Sequence, residues 1–214
     1  MKAVIASVLL LASVAFIDSA RAEPSTRVAW TPATLRLVKG GDAERGKSLA
    51  ATCQSCHGAE GAADAPHLNG QLATYLYRQL RDYKDGSRSH AVMSALTAGL
   101  SDQDMADLGQ FYSHEPPPAA SPGMRATKVP PLVANGDSKR LIPPCGICHG
   151  GSGQGEVVDT PRLAGQKSAY LKQTLLAYRS GQRHNDIYRR MRMMSERLSE
   201  GEIDALTEYY AGLH

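Results

Sequence analysis

The chain has 214 residues, 21% of them charged, and a formal net charge of +3 at neutral pH. So small a charge argues against a nucleic-acid-binding protein, and the length allows one ordinary domain or two small ones. Aromatic residues make up only 6% of the chain, which is little material for two small cores. Domains under about 80 residues usually need a disulfide, a metal or a cofactor to be stable.

The amino terminus has the pattern of a secretory leader. Lys2 is followed by an apolar run over residues 4–17 and by the small-x-small cleavage pattern Ala-Arg-Ala at residues 20–22. The run is shorter than the roughly 20 residues that cross a bilayer. We therefore predict a signal peptide over residues 1–22 and a soluble, exported protein. An uncleaved leader acting as an anchor is the alternative, and it would give peripheral membrane association.

Two similar units organise the rest of the chain. The motif CQSCHG begins at Cys53 and returns as CGICHG at Cys145. The segment PHLNGQ at residues 66–71 returns as PRLAGQ at residues 161–166, and the pattern Tyr-x-x-Gly-x-Arg occurs in both units. Matching order over this length indicates two copies of one structural unit, joined by a proline-rich stretch. The predicted bounds are signal peptide 1–22, first unit 23–114, linker 115–131 and second unit 132–214.

Each unit has helical periodicity. Leu76, Leu80 and Tyr83 recur at the spacing of one helix face, and their counterparts in the second unit do the same. The patterns Ser-x-x-Asp at Ser101 and Ser-x-x-Glu at Ser199 are capping-box starts for a final helix in each unit. No segment alternates like a strand. We therefore predict an all-α fold of two tandem domains, each with several short helices.

The motif Cys-x-x-Cys-His is the attachment signature of c-type haem. Cysteines at i and i+3 lie on one helix face, where two thioether bonds reach the edge of a flat macrocycle and the histidine binds its iron. A structural zinc would need four ligands, and each unit has only one such cysteine pair. A thioredoxin-like pair would need a βαβ context. We therefore predict two covalently bound haem c groups. Their cysteines are Cys53, Cys56, Cys145 and Cys148, and their histidine ligands are His57 and His149.

A second axial ligand decides whether a haem iron carries electrons or does chemistry. Met93 and Met191 are predicted for this role, because each lies seven residues before the Leu-Ser pair of its unit. In the first unit Met105 fits the apolar face of the last helix instead. In the second unit Met193 and Met194 lie close by, and the repeat register selects Met191.

Two features near these ligands have more than one interpretation. The carbonyls of Pro66 and Pro161 either accept the second N–H of each imidazole, or the prolines only shape a loop. Five arginines surround Met191 in the sequence, and they either pair with the acidic start of the last helix or face an acidic patch on a redox partner. The five are Arg183, Arg189, Arg190, Arg192 and Arg197.

This set of motifs resembles the diheme class I c-type cytochromes of the cytochrome c4 type over nearly the whole chain after the leader. The resemblance implies two cytochrome c folds related by an approximate twofold axis, and electron transfer in the bacterial periplasm with redox proteins as partners. It assigns Cys53, Cys56, His57 and Met93 to one haem, and Cys145, Cys148, His149 and Met191 to the other. The first unit departs from the usual pattern at Asn69, where an alanine is expected, and residues 23–39 have no counterpart in the second unit.

Two functions are consistent with these residues, and a third fits them poorly. The predicted one is a periplasmic electron carrier, not itself an enzyme, and the resemblance implies that it delivers electrons toward a terminal oxidase. The alternative is a diheme electron-transfer subunit of a periplasmic dehydrogenase complex, which needs the same two six-coordinate haems. A diheme peroxidase or a thiosulfate-oxidising cytochrome would need an open iron or a further cysteine ligand. Here thioether bonds use all four cysteines, and a methionine is available for each iron.

Overall fold

A computed structural model describes residues 25–58, 61–120, 123, 126, 128–156 and 158–213. The predicted signal peptide lies outside these residues. Within them, no helix has both the length and the apolar character needed to cross a membrane. The predicted linker, residues 115–131, covers the chain from the end of one helix at His114 to the start of the next at Pro131, and its bounds stay a prediction.

The regular secondary structure of the described chain is helical. The helices are α1 (Pro32–Lys39), α2 (Ala43–Ala50), α3 (Gln54–His57), α4 (Ala73–Asp85), α5 (Ala91–Thr97), α6 (Asp102–His114), α7 (Pro131–Ala134), α8 (Cys145–His149), α9 (Ser168–Arg179), α10 (Arg190–Ser195) and α11 (Glu200–Ala211). Two short 3₁₀ turns lie at Ser138–Arg140 and Ile187–Arg189. In the described residues β-pairing is limited to two isolated bridges. The all-α prediction is confirmed.

The last helix of each unit begins with a capping box, as the sequence predicts. The Ser101 hydroxyl accepts the N–H of Asp104, and the Asp104 carboxylate accepts the N–H of Ser101. Ser199 and Glu202 repeat this arrangement at the start of α11. Reciprocal capping pairs two N–H groups that a helix leaves free, so it sets the residue at which each helix begins.

Each unit has its own apolar core against this last helix. In the first unit Leu76 on α4 packs with Leu108 on α6, and both are buried. In the second unit Leu171 on α9 packs with Ile203 and Leu206 on α11. The helix face predicted from periodicity is therefore the inner face in both units.

Residues 25–40 build a second small core on the first unit. The rings of Trp30 and Tyr77 lie 6.3 Å apart between centroids. Both pack with Val38 and Met105, whose exposed fractions are 1% and 0%. The segment that has no counterpart in the second unit therefore packs as an integral part of the first.

An ion-pair network joins the 3₁₀ turn of the second unit to the start of α11. The Arg140 guanidinium donates to Asp137 at 2.7 Å and to the two carboxylate oxygens of Glu202 at 2.6 and 2.9 Å. It also donates to the backbone carbonyl of Arg197 at 3.0 Å. These hydrogen bonds from Arg140 lower the pKa of Glu202 to about 2.

We expect this network to make stability depend on pH in the acid range. The Glu202 pKa is lower in the folded chain than its ordinary value of 4.5. The resulting stabilisation is therefore complete above pH 4.5 and is lost as the pH falls toward 2. Arg140→Met removes the largest cause of the shift and leaves the smaller contribution of the hydrogen bonds from Ser199. Its free energy of unfolding, from urea titrations followed by far-UV circular dichroism, should fall less steeply than that of the wild type below pH 5.

Lys172→Met is the matched control, because it breaks the pair with Asp204, in which both side chains are about half exposed (46% and 47%). This variant should keep the acid dependence of the wild type. Equal slopes in the wild type and in Arg140→Met would contradict the role given to Glu202.

Candidate haem sites

The two cysteine–histidine motifs form the short helices α3 and α8. In each motif the first cysteine is half-buried, the second is exposed, and both are free thiols. The N–H of His57 donates to the carbonyl of Cys53 at 2.9 Å, which closes one helical turn. Each unit thus presents two thiols and an imidazole from a single turn of helix, as attachment of a haem c group requires.

A proline carbonyl holds each motif histidine. Nδ1 of His57 lies 2.8 Å from the Pro66 oxygen, and Nδ1 of His149 lies 3.0 Å from the Pro161 oxygen. A carbonyl only accepts, so Nδ1 carries the hydrogen in both rings and Nε2 keeps the lone pair that binds a metal. Burial lowers the pKa of both imidazoles, which favours the neutral form. The hydrogen-bond interpretation of the two prolines is confirmed.

The second unit reaches this geometry with a longer loop. Pro66 follows its histidine by nine residues and Pro161 follows by twelve. The N–H of Gly155 donates to the carbonyl of His149 at 2.8 Å, and Gly155 has a φ of +83°. A Cβ at this position would lie 2.6 Å from the backbone nitrogen of Arg162. The loop therefore needs glycine there to bring the proline segment back to the histidine.

The predicted methionines lie on helices close to these histidines. Met93 on α5 and Met191 on α10 are both half-buried. The charge of His90, which caps α5, contributes to lowering the pKa of the first unit's motif histidine. The charge of Arg190, next to Met191, does the same for the second unit's histidine. His90 and Arg190, which flank the two methionines in the sequence, therefore lie within electrostatic range of the motif histidine of their own unit.

The other methionines of the described residues have different surroundings. Met105 is buried in the core beneath α1. Met194 packs against the core of the second unit, and Met193 is 37% exposed. Met124 lies outside the described residues. These placements agree with the repeat register, which selects Met191.

A polar network around Gln79 lies between the two units. Its Oε1 accepts hydrogen bonds from Arg88 at 2.8 Å, from Arg183 at 2.9 Å and from Asn185 at 3.0 Å. Arg183 is only 6% exposed. The expectation that Arg183 belongs to an exposed arginine cluster around Met191 is therefore wrong, because contact with the first unit buries it.

The two interface arginines reach across to each other's unit. Arg88 donates to the hydroxyl of Tyr170 at 3.3 Å, and Arg183 donates to the hydroxyl of Tyr75 at 3.0 Å. Burial raises the pKa of Tyr170, but the charges of Arg88 and Arg183 outweigh it and bring that pKa to about 7. Among the described residues, neither arginine pairs with a carboxylate. Two such cations fit the carboxylates that a haem carries on its edge.

Two helical units, each with one haem-attachment turn, a histidine in the metal-binding tautomer and a nearby methionine, define a diheme c-type cytochrome. The cytochrome c family model matches residues 43–113 and 138–213. Cytochrome c4 from Pseudomonas aeruginosa is 37% identical over 186 residues, which cover 81% of this chain and 90% of that protein.

Two further comparisons agree with this result. The crystal structure of reduced recombinant cytochrome c4 from Pseudomonas stutzeri has a TM-score of 0.74 and 35% identity, and the match covers 81% of this chain and 100% of that one. A thiosulfate dehydrogenase electron acceptor from Stutzerimonas stutzeri is 35% identical over 176 residues, 77% of this chain and 80% of that protein. The chain belongs to the cytochrome c4 family. It is an electron-transfer protein with two covalently bound haem c groups in tandem class I domains.

Sequence reasoning missed the residues that join the two units. Gln71, Gln166 and Arg88 stood in patterns that occur in both units, and a polar residue repeated in register is a signal that could have identified them. Gln79 and Asn185 have no identical counterpart at the offset of the repeat. Their role depends on contacts between the units, for which the sequence offers no local sign.

Proposed function

We propose that each unit holds its haem through one cysteine pair, one histidine and one methionine. The first set is Cys53, Cys56, His57 and Met93, and the second is Cys145, Cys148, His149 and Met191. The observation that carries this proposal is the tautomer of the two motif histidines, which leaves Nε2 free beside a methionine-bearing helix. A haem iron with two protein ligands supplies one-electron transfer and has no open position for a substrate, so the protein is a carrier and not an enzyme.

The protein's own residues set the conditions for this transfer. The proline carbonyls orient the imidazoles and keep their Nε2 atoms available. The thioether of each methionine favours the reduced iron. Arg88 and Arg183 would hold the haem carboxylates, because they are cations at the interface and pair with no carboxylate among the residues that the structure describes. The geometry therefore supports two shielded redox centres on either side of one interface.

The carrier is proposed to act in the periplasm and to deliver electrons toward a terminal oxidase. The leader pattern over residues 1–22 supports export. A second candidate is a diheme subunit bound to a periplasmic dehydrogenase, and the observation in its favour is the relative named as a thiosulfate dehydrogenase electron acceptor. Both candidates use the same two centres and differ in whether the chain is free.

Purification at native expression level distinguishes these candidates. The free carrier should elute at the size of a single chain, and its reduced form should be oxidised by washed membranes that contain the terminal oxidase. Constant co-purification with a dehydrogenase polypeptide, together with reduction by that enzyme's substrate, would instead support the subunit. Catalytic reduction of peroxide, or oxidation of thiosulfate, by the isolated chain would contradict the carrier proposal.

The distal ligands are tested by replacing Met191 with alanine. Loss of the thioether should open the second iron to carbon monoxide, one molecule per chain, and lower the potential of that haem, because a thioether favours the reduced state. The potential of the first haem should change little. Carbon monoxide difference spectra and potentiometric titration measure both effects.

Met193→Ala is the control, since this methionine lies two residues away and is partly exposed. It should leave the second iron closed to carbon monoxide. If Met193→Ala opens the iron and Met191→Ala does not, the assignment of the second ligand is wrong by two residues.

The acidic start of α11 is neutralised by residues other than the arginines around Met191. Its pairs are Glu200 with Arg179, Glu202 with Arg140, and Asp204 with Lys172. The interpretation that the arginine cluster pairs with this helix start is therefore wrong.

Two arginines beside the second site remain exposed. Arg192 pairs with Asp186, and their side chains are only 17% and 3% exposed. Arg189 makes a 3.2 Å pair with Glu196, in which both side chains are more than 40% exposed (60% and 44%), and pairs of this kind contribute little. Arg190 is exposed as well. These cations favour a redox partner with an acidic surface, where complementary charge speeds encounter.

Reversing the charge of Arg189 and Arg190 to glutamate should slow electron exchange with the natural partner by about tenfold at low salt. The dependence of the rate on salt should become flatter, because screening then acts on a weaker attraction. Stopped-flow rates at several ionic strengths measure both effects. The same reversal at Arg36 and Lys39, exposed on α1 of the first unit, is the control. If both double variants slow the reaction equally, the effect is one of net charge and not of this surface.

A further inference from the structure

Gln71 and Gln166 join the two units through reciprocal contacts with backbone. Oε1 of Gln166 accepts the N–H of His67 at 2.9 Å, and its Nε2 donates to the His67 carbonyl at 2.9 Å. In the opposite direction Gln71 accepts the N–H of Arg162 at 2.8 Å and donates to the Arg162 carbonyl at 3.0 Å. His67 and Arg162 are equivalent in the repeat. The two contacts are therefore related by the internal symmetry of the chain.

Both glutamines are held in place before they reach across. Each is only 6% exposed, and each Oε1 also accepts the N–H of the next residue at 3.0 Å. The glycine before each glutamine, Gly70 or Gly165, has a positive φ and donates its N–H to a carbonyl in the last helix of its own unit. Each amide oxygen therefore accepts two N–H groups and each Nε2 donates one hydrogen bond, so three hydrogen bonds fix the orientation of each amide group.

One peptide group connects each glutamine to the haem ligand of the other unit. The carbonyl of Pro66 and the N–H of His67 belong to the same peptide. That carbonyl accepts the Nδ1 hydrogen of His57, while the N–H donates to Gln166. In the opposite direction the Pro161 carbonyl accepts the Nδ1 hydrogen of His149, and the N–H of Arg162, in the same peptide, donates to Gln71. A peptide group is planar and conjugated, so hydrogen bonds at its two ends polarise it in the same sense and strengthen each other.

We propose that Gln71 and Gln166 are positioning residues, each acting on the iron-binding histidine of the opposite unit. This inference rests on the proposed ligand role of His57 and His149. Donation of the His67 N–H to Gln166 makes the Pro66 carbonyl a stronger acceptor for the imidazole. A stronger hydrogen bond at Nδ1 raises the basicity of Nε2, and a more basic ligand stabilises the oxidised iron. Docking of the units thereby lowers both haem potentials.

This arrangement makes a crossed prediction. Loss of Gln166, which belongs to the second unit, should raise the potential of the haem in the first unit. Loss of Gln71, which belongs to the first unit, should raise the potential of the haem in the second. A purely structural role predicts no such pattern, because loosening the interface would affect both haems in either variant.

The test uses Gln71→Met and Gln166→Met in the holoprotein, because methionine keeps the side-chain length and removes the hydrogen bonds. The equilibrium constant for reduction of the haem opposite the substitution should rise about two- to threefold, because only part of the free energy of the lost hydrogen bond reaches the imidazole. The same constant for the haem in the substituted unit should stay at its wild-type value. Potentiometric titration followed by visible absorbance measures both constants, and Met191→Ala identifies the second haem.

Gln110→Met is the matched control. It removes a comparable hydrogen bond, from Nε2 to the Val38 carbonyl at 2.6 Å, but within the first unit and away from the proline segments. Both potentials should stay at their wild-type values. Amide hydrogen exchange at His67 and Arg162 reports whether each contact has been lost. If Gln166→Met folds poorly, Gln166→Asn replaces it, because asparagine is too short to reach His67. This variant should show the same shift in potential as Gln166→Met.

The crossed pattern supports the proposal. Equal shifts of both potentials in each variant, a shift confined to the substituted unit, or no shift once the His67 or Arg162 amide has become exchangeable would overturn it. Two reversible one-electron steps in the wild-type protein establish the carrier function independently. Absence of these steps in the wild type would contradict the carrier function, whereas absence of the crossed pattern in the variants would contradict only the role of the two glutamines.

Discussion

The hydrogen bond from each motif imidazole to a proline carbonyl is the constraint on which the rest of this structure depends. Only the ring that carries its hydrogen on Nδ1 presents Nε2 to an iron. The carbonyl must come within 3.0 Å of the ring even though the loops differ by three residues in length. Gly155 supplies the close backbone approach that the longer loop needs. The capped last helices hold the same loops from the other side, through the backbone bonds to Gly70 and Gly165.

The proline segments also form part of the contact between the units, so ligand geometry and domain docking are not independent. A buried polar network is costly unless its members are satisfied, and a satisfied one specifies a single arrangement. The reciprocal contacts of Gln71 and Gln166 pair polar groups of both units. Around Gln79 the Oε1 accepts three hydrogen bonds, while its buried Nε2 has no partner among the described residues. The relative placement of the two units is therefore set by the geometry of these hydrogen bonds.

The two units are not equivalent, although the chain repeats. Residues 25–40 add a small core to the first unit only, and the segment also reaches the interface. Thr26 donates to the carboxylate of Asp82 at 2.5 Å, and the same carboxylate accepts from Asn185 of the second unit at 2.7 Å. Ser25 receives a hydrogen bond from Arg192 at 3.3 Å, next to Met191. The second haem site thus has a neighbour that the first lacks.

The all-α class, the two units, the cysteine–histidine turns and the capped last helices could be predicted from the sequence, because each depends on residues close in the chain or on a repeat. Met93 and Met191 followed from the repeat register, and their ligand role stays a prediction. The sequence did not decide whether the carbonyls of Pro66 and Pro161 accept hydrogen bonds from the motif histidines. It also wrongly grouped Arg183 with the exposed arginines around Met191. Only the tertiary structure decided these points, together with the roles of Gln71 and Gln166. The hydrogen bonds between the units join residues as many as 108 positions apart, and such contacts depend on which surfaces two folded units bring together.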